Sequence, residues 1–270
     1  MTKQTPAPHP AVSYRPASQK TAPGFRDDAH RRSRAAAFSD GADVYEDVRP
    51  GYPREVVELL ATAKTVVDVG AGTGKLTRDL TAPGRDVLAT DPSADMVRTL
   101  SRLFDVPVWR ATAEATALAD DSVDAVVCAQ TWHWVDVAAA SAEFDRIVRP
   151  GGQVVLVWNT IDVSDPWVLR LARIMHSGDI QKEGFLPDVG VPWEVAEELR
   201  LTWTDSLTPA QVHRLTQTRS YWLRSDEKIR RRVSDNLRWY LFEHTGLRED
   251  SVIDLPYRTD AFVLRRAHGR

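Results

Sequence analysis

The chain has 270 residues, 43% of them hydrophobic and 27% charged, and its 35 Lys and Arg against 38 Asp and Glu give a formal charge of −3. That length suits one large α/β domain or two small ones, and the near-neutral balance supplies no global field for a polyphosphate partner, which disfavours a nucleic-acid substrate. A single cysteine, Cys128, rules out an intrachain disulfide and any cysteine-rich metal site, so no metal is expected. No run approaches the length of a membrane-spanning helix and the N-terminus lacks a secretory apolar segment, so no membrane partner is expected and the cytoplasm follows by default.

Residues 1–34 hold seven Lys and Arg against two Asp, with Pro6, Pro8, Pro10, Pro16 and Pro23 among few large apolar residues. Such a stretch buries too little to offset its ordering entropy, so 1–36 reads as a disordered basic tail and 37–270 as one domain. An organellar targeting peptide is the sharper alternative, given the arginines, but the prolines oppose an amphipathic helix. Structure is predicted to start near Phe38. Pro53 suits the first turn of a helix running to about Ala63, with Val56, Val57, Leu59 and Leu60 on its apolar side. Residues 65–69 read as the first strand, 74–80 as a helix closed by Pro83-Gly84, and 86–90 as the second strand. Ser93 caps a helix that points Met96, Val97, Leu100 and Leu103 inward. Residues 106–109 and 124–129 are the third and fourth strands. Asp136 opens a helix to about Val148, and after Arg149-Pro150-Gly151-Gly152 the fifth strand covers 153–158. Beyond Asn159 the alternation lapses. Residues 160–250 read as mainly helical, with a short strand at about 200–204 and a strong helix over 225–244 that Gly246 ends; residues 257–265 form a closing strand. Strands alternating with helices predict a doubly wound parallel sheet that binds ligands at the carboxyl ends of its strands.

The most informative stretch runs from Val66 to Leu76. An apolar β-branched strand ends in Asp68, then Gly70, Gly72 and Gly74 at alternate positions, then a helix start, a geometry that lets backbone approach a nucleotide-like ligand. A dinucleotide fingerprint needs Gly where Lys75 stands, and a phosphate-cradling loop needs four residues before Gly-Lys where only three intervene. What remains is an acid followed by G-x-G-x-G, with a second acid, Asp91, ending the next strand. A carboxylate there would accept from both ribose hydroxyls; the alternative is a turn residue before Pro92 or a helix N-cap.

This motif resembles motif I of the class I S-adenosylmethionine-dependent methyltransferases. Ala111-Thr112-Ala113-Glu114, Asp121-Ser122-Val123-Asp124, Gln130-Thr131-Trp132-His133-Trp134-Val135-Asp136 and Arg149-Pro150-Gly151-Gly152 are similar to the type-11 group. Phe38, Tyr45, Arg49-Pro50-Gly51-Tyr52-Pro53, Ser220-Tyr221 and Leu255-Pro256-Tyr257-Arg258-Thr259 resemble the small-molecule branch that includes trans-aconitate methyltransferases. The resemblance implies a mostly parallel, seven-stranded Rossmann-like sheet with a helical insertion near the C-terminus, and S-adenosylmethionine as cofactor. It implies that Asp68, Gly70, Ala71, Gly72 and Gly74 hold the methionine part of the cofactor, that Asp91 takes the ribose, and that Met96, Ala113 and Glu114 meet the adenine. Gln130 would offer its backbone to the amino-acid end. Tyr45 and Arg49 would fold over the cofactor, the Arg49 fork suiting a carboxylate. Ordinary helix core for Met96, a solvated loop acid for Glu114 and a structural Arg-Pro anchor for Arg49 are the plainer alternatives.

Trp132, His133 and Trp134 stand where the fourth strand would open toward substrate, and Tyr221 joins them as a substrate contact. The indoles could face the sulfonium. His133 is the one candidate general base, although it could equally shape the loop through a backbone bond. The expected function is methyl transfer to an oxygen, carboxylate or hydroxyl, of a small-molecule substrate. A non-catalytic cofactor-binding protein and a nucleic-acid methyltransferase are the competing readings; the second lacks the Asn/Asp-Pro-Pro-aromatic run after strand four.

Overall fold

The computed structural model describes residues 48–177 and 181–267; the basic tail, Phe38 and Tyr45 lie outside them. Seven strands form one sheet in the order β3-β2-β1-β4-β5-β7-β6, with β1 at Thr65–Val69, β2 at Asp86–Asp91, β3 at Val108–Arg110, β4 at Val123–Ala129, β5 at Val148–Ile161, β6 at Trp193–Leu207 and β7 at Ile253–Arg266. The first five strands are mutually parallel, and β7 runs antiparallel to both β5 and β6. The sheet is therefore mixed and mostly parallel. Its order reverses between β1 and β4, and the carboxyl ends flanking that point form the crevice where such folds bind ligands.

Both faces of the central strands are apolar, as burial on two sides demands. On one face Val66, Ala125, Val127, Val155, Val157, Ala261 and Val263 pack on Val56 of helix α1 (Arg54–Glu58), on Leu60, and on Leu76 and Leu80 of α2 (Lys75–Leu80). On the other, Val67, Val69, Val126, Cys128, Val154, Leu156, Trp158 and Phe262 meet Ala140, Phe144 and Ile147 of α4 (Val137–Ile147). Helix α3 (Ala94–Leu103) is capped by Ser93, whose side chain accepts from the Met96 N–H; Asp136 caps α4 through the Ala139 N–H.

Pairing of β5 with β7 ends at Ile161 and Tyr257, whereas β6 and β7 stay paired to Leu207 and Ile253. This two-stranded ribbon stands above the rest of the sheet edge. It buries Leu207, Ile253, Leu255 and Tyr257 against α5 (Pro166–Ile174), α6 (Pro209–Gln217) and α8 (Glu227–Arg238), making a third core cluster. The short α7 (Ser220–Arg224) joins α6 to α8, and the last turns, Trp239–His244, widen into a π-helix before Gly246 at φ +68°.

Several boundaries differ from the sequence reading. The strand expected at 200–204 spans fifteen residues, so 160–250 is less helical than expected. A bulge between Val195 and Glu197 breaks the two-residue period there, and the acids and Arg200 on this edge strand hide what alternation remains. The third strand starts after Pro107, which has no N–H and contributes only its carbonyl, accepting from Ala89. The fifth strand begins upstream of its glycines, because Gly152 lies so close to β4 that a Cβ would sit 2.5 Å from the Asp124 carbonyl oxygen. Among the described residues no helix is long and apolar enough to cross a membrane, and no cluster of metal-ligating side chains occurs.

Phe144 is fully buried and central to the α4 face. Phe144→Ala should lower stability by about 3–5 kcal/mol in urea denaturation, whereas Leu103→Ala, at a 49% exposed position, should stay within about 0.5 kcal/mol.

Candidate active site

The crevice is built from the ends of β1, β2 and β4. Past Val69 the chain turns through Gly70, Gly72 and Gly74 at φ +73°, +58° and +95°, values that favour glycine. The Gly70 and Ala71 N–H groups both donate to the Thr90 carbonyl, at 2.8 and 2.9 Å, fastening the turn to β2. Thr131, just past β4, donates its hydroxyl to the Gly70 carbonyl at 3.1 Å and fills the place of a Gly70 side chain. A Cβ on Gly74 would meet the Phe104 ring at 2.8 Å, whereas beside Gly72 there is nothing within 4 Å. The turn is thus packed at both ends and open in the middle.

Asp68 and Asp91 flank this opening, and both are buried. Asp68 Oδ2 accepts from the Thr77 hydroxyl at 2.7 Å, while its Oδ1 has no hydrogen-bond partner among the described residues. Burial raises the Asp68 carboxyl to about 7, opposed by the Thr77 hydroxyl and reinforced by the charge of Asp91. Asp91 accepts from the Gly72 N–H at 3.0 Å and the Ser93 N–H at 2.8 Å, and burial raises it against those two bonds. Ser93 is the helix cap, so Asp91 serves the turn on one side and faces the glycine loop on the other.

Beyond Ala129, Gln130 adopts φ +57°, a strained value for a residue with a side chain. Its backbone N–H donates to Val157 at 2.8 Å and its side-chain amide to the Asn159 carbonyl. Asn159 in turn donates to the Gly51 carbonyl at 2.8 Å and accepts from the Thr259 hydroxyl, which also accepts from the Trp203 indole. One network therefore links the segment before β1, the end of β4 and the β6–β7 ribbon.

A cavity opens at this junction, lined by Arg49, Pro50, Tyr52, Asp68, Gly70, Ala71, Gly72, Lys75, Leu76, Ala129, Gln130, Asn159, Arg219 and Tyr257. It gathers Arg49, Asp68, Gly70, Ala71, Gly72 and Gln130 of the sequence-derived site, with Asp91 one hydrogen bond away. Arg49 donates its Nε to the Thr218 hydroxyl and its Nη2 to the Thr218 carbonyl, both at 2.9 Å, so it also anchors its segment as the plainer alternative held. Met96 and Ala113 are buried, and one Glu114 oxygen accepts from the Asp136 N–H at 2.7 Å, joining that loop to the start of α4.

The aromatic triplet departs from expectation. Residues Trp132–Trp134 form a 3₁₀ turn. Trp132 is 4% exposed, lies 5.8 Å from Phe144 and donates its indole N–H to the Asp188 carbonyl at 2.8 Å, so it is core rather than cleft wall. His133 Nδ1 accepts from the Trp158 indole N–H at 3.2 Å. That bond occupies the Nδ1 lone pair and, in the neutral ring, puts the proton on Nε2. Trp134 lies 4.8 Å from His133, and Tyr221 stacks on His176 at 3.7 Å; neither lines the cavity. Lys75, Asn159, Arg219 and Tyr257 were missed as site residues. Lys75 had counted only against phosphate motifs, and the other three reach the cavity by long-range strand pairing or through the insertion, with no local signal.

Residues 67–156 match the family described as Methyltransferase domain, type 11. A methyltransferase of Mycobacterium tuberculosis (strain ATCC 25618 / H37Rv) is 40% identical over 234 residues, covering 85% of this chain and 95% of the relative. The chain is a class I S-adenosylmethionine-dependent methyltransferase. The malonyl-[acyl-carrier protein] O-methyltransferase of Yersinia pestis is 31% identical over 162 residues, 57% of this enzyme and 59% of its own length. A solved structure from Anaeromyxobacter dehalogenans, described as a type II methyltransferase, superposes with a TM-score of 0.54 at 25% identity, over 81% of this enzyme and 97% of that chain. The cofactor of the enzyme is S-adenosylmethionine. The site suits its zwitterionic end: an unpartnered carboxylate oxygen can accept from an ammonium, and open space beside Gly72 admits a ligand against backbone.

Because the folded enzyme holds the Asp68 proton to about pH 7 and the unfolded chain releases it near 4, the native state binds more protons between those values. Stability of the ligand-free enzyme should therefore fall as pH rises from 5 to 8. Asp68→Asn should flatten that decline in urea titrations at each pH; an unchanged slope would show that Asp68 is not its source.

Proposed function

We propose that the enzyme transfers a methyl group to an oxygen of a small-molecule acceptor, a carboxylate ahead of a hydroxyl. The observation that carries this reading is the cavity itself, where the glycine turn and the half-satisfied Asp68 face three cationic side chains, Arg49, Lys75 and Arg219. That surplus of positive charge favours an anionic acceptor. The resemblance of flanking motifs to the trans-aconitate branch supports the same class, as does the O-methylation named for the Yersinia relative. The segment Arg49–Tyr52 and the insertion residue Arg219 line the cavity from outside the parallel strands, which supports a small substrate.

In this reading Asp68 accepts from the ammonium of the cofactor, and Gly70, Ala71, Gly72 and Gly74 let its chain lie against the turn. Asp91 takes the ribose, Met96 and Ala113 border the adenine, and the free face of Glu114 meets the adenine edge. Gln130 holds the amino-acid end through its backbone. When bound, the cofactor supplies a methyl on a cationic sulfur, already activated. The acceptor oxygen bonds to that carbon as the carbon–sulfur bond breaks and its electron pair remains on sulfur. A carboxylate is ionised at neutral pH, so no proton moves, consistent with His133 being engaged by Trp158. The contribution of the protein is alignment and exclusion of water, which is worth on the order of 7–11 kcal/mol for well-oriented reactants.

Titration calorimetry with S-adenosylhomocysteine should show micromolar binding, and folded Asp91→Ala and Gly72→Val variants should bind at least about tenfold more weakly. A screen of carboxylic acids and phenols with isotopically labelled cofactor should return O-methyl products. Parental affinity in both variants would end the site assignment, and a screen yielding only N- or C-methyl products would end the oxygen assignment.

A further inference from the structure

Asn159 lines the cavity, is only 8% exposed, and joins three remote parts of the chain. Its side chain donates to the Gly51 carbonyl at 2.8 Å and accepts from the Thr259 hydroxyl at 2.7 Å, while its backbone carbonyl accepts from the Gln130 side chain. Thr259 stands directly across from Asn159 on β7 and is fully buried, and its hydroxyl oxygen accepts from the Trp203 indole at 2.8 Å. An indole N–H can only donate, and a hydroxyl has a single proton to give. Trp203 therefore points its N–H at the Thr259 oxygen, and the Thr259 proton goes to Asn159. That bond turns the Asn159 oxygen toward Thr259 and its amide N–H toward Gly51. The chain of bonds has one direction, from the β6–β7 ribbon to the segment before β1.

Residues 49–51 are pinned at both ends. Arg49 donates twice to Thr218 of the insertion, Gly51 accepts from Asn159, and Pro50 restricts the backbone between them. Gln130, at φ +57°, is held twice from β5, through its N–H to Val157 and its side chain to Asn159. We propose that Asn159 is a positioning residue for the amino-acid end of the cofactor, holding segment 49–52 and the Gln130 backbone in one arrangement, and that Trp203 acts through Thr259 by fixing which way the Asn159 amide points. Trp203 also stacks on Tyr257, a wall of the same cavity, with ring centroids 5.1 Å apart. One ribbon side chain thus supports the cavity wall with its ring and starts the relay with its N–H. This inference rests on the reading of the cavity as the cofactor site.

The test uses two probes with the full-length enzyme: S-adenosylhomocysteine, which has the amino-acid end, and 5′-methylthioadenosine, which lacks it. Calorimetry should show Asn159→Ala weakening the first about tenfold while the second stays within about twofold. Thr259→Val, which keeps the shape but removes the hydroxyl, should show the same selective loss, and Thr259→Ser should bind as the parent does. Trp203→Phe, which keeps a ring against Tyr257 but not the N–H, should weaken S-adenosylhomocysteine in the parent and add nothing beside Asn159→Ala. Parental affinity in Asn159→Ala, or equal loss for both probes, would make Asn159 merely structural and overturn the proposal. Additive losses from Trp203→Phe and Asn159→Ala would overturn the relay. Should urea denaturation show Asn159→Ala unfolded, the Thr259→Val and Thr259→Ser pair decides by the same criteria. If the parent binds neither probe, it is the reading of the cavity as the cofactor site that fails, and the proposal falls with it.

Discussion

A side chain on Gly70 would need the space that Thr131 already fills: its Cβ would lie 2.3 Å from the Thr131 hydroxyl, which donates to the Gly70 carbonyl. This contact joins the ends of β1 and β4, and the paired bonds from Gly70 and Ala71 to Thr90 add the end of β2. Three strand ends fixed to one turn leave the turn little freedom. Asp68, Asp91 and Gln130 then stand at set positions because the strands carrying them do. Methyl transfer from an activated sulfonium asks mainly for orientation, and a rigid junction of this kind is how a fold supplies it.

The same junction also holds groups that cost the fold something. Two carboxyl groups are buried near each other, one with an oxygen lacking a partner, and Gln130 is held at a positive φ. An apolar pair at Asp68 and Thr77 would pack with less cost, since an unpaired buried acid is among the more expensive things a core can contain. The expense falls where a zwitterionic ligand with a cationic sulfur would relieve it. A strained residue and an unpartnered carboxylate oxygen beside the same open crevice fit a binding site.

The β6–β7 ribbon decides how the crevice is closed. Continuing its pairing past the end of β5, it lifts Tyr257 and Trp203 above the sheet edge and supports helices α5, α6 and α8. From that support Thr218 and Arg219 reach the segment preceding β1. Gln130, Asn159 and Thr259 connect the ribbon to the parallel half by side-chain bonds rather than by packing alone. The insertion is thus tied to the crevice at the glycine turn and lines it.

By itself the sequence determined the parallel half of the sheet, the glycine turn with its two acids, and the cofactor, because these depend on local order: β-branched runs, alternating glycines and caps such as Ser93 and Asp136 write themselves into neighbouring residues. It placed Trp132 and His133 at the correct strand end but could not tell that one indole packs on Phe144 and that the other ring receives the Trp158 N–H, since both partners come from distant strands and helices. The length of β6 was hidden by a bulge and an exposed edge. Only the tertiary structure brought Lys75, Asn159, Arg219 and Tyr257 to one cavity, and only it showed Arg49 spent on Thr218. A turn is specified by the dihedral preferences of consecutive residues, whereas a pocket is specified by which remote surfaces the core brings into contact.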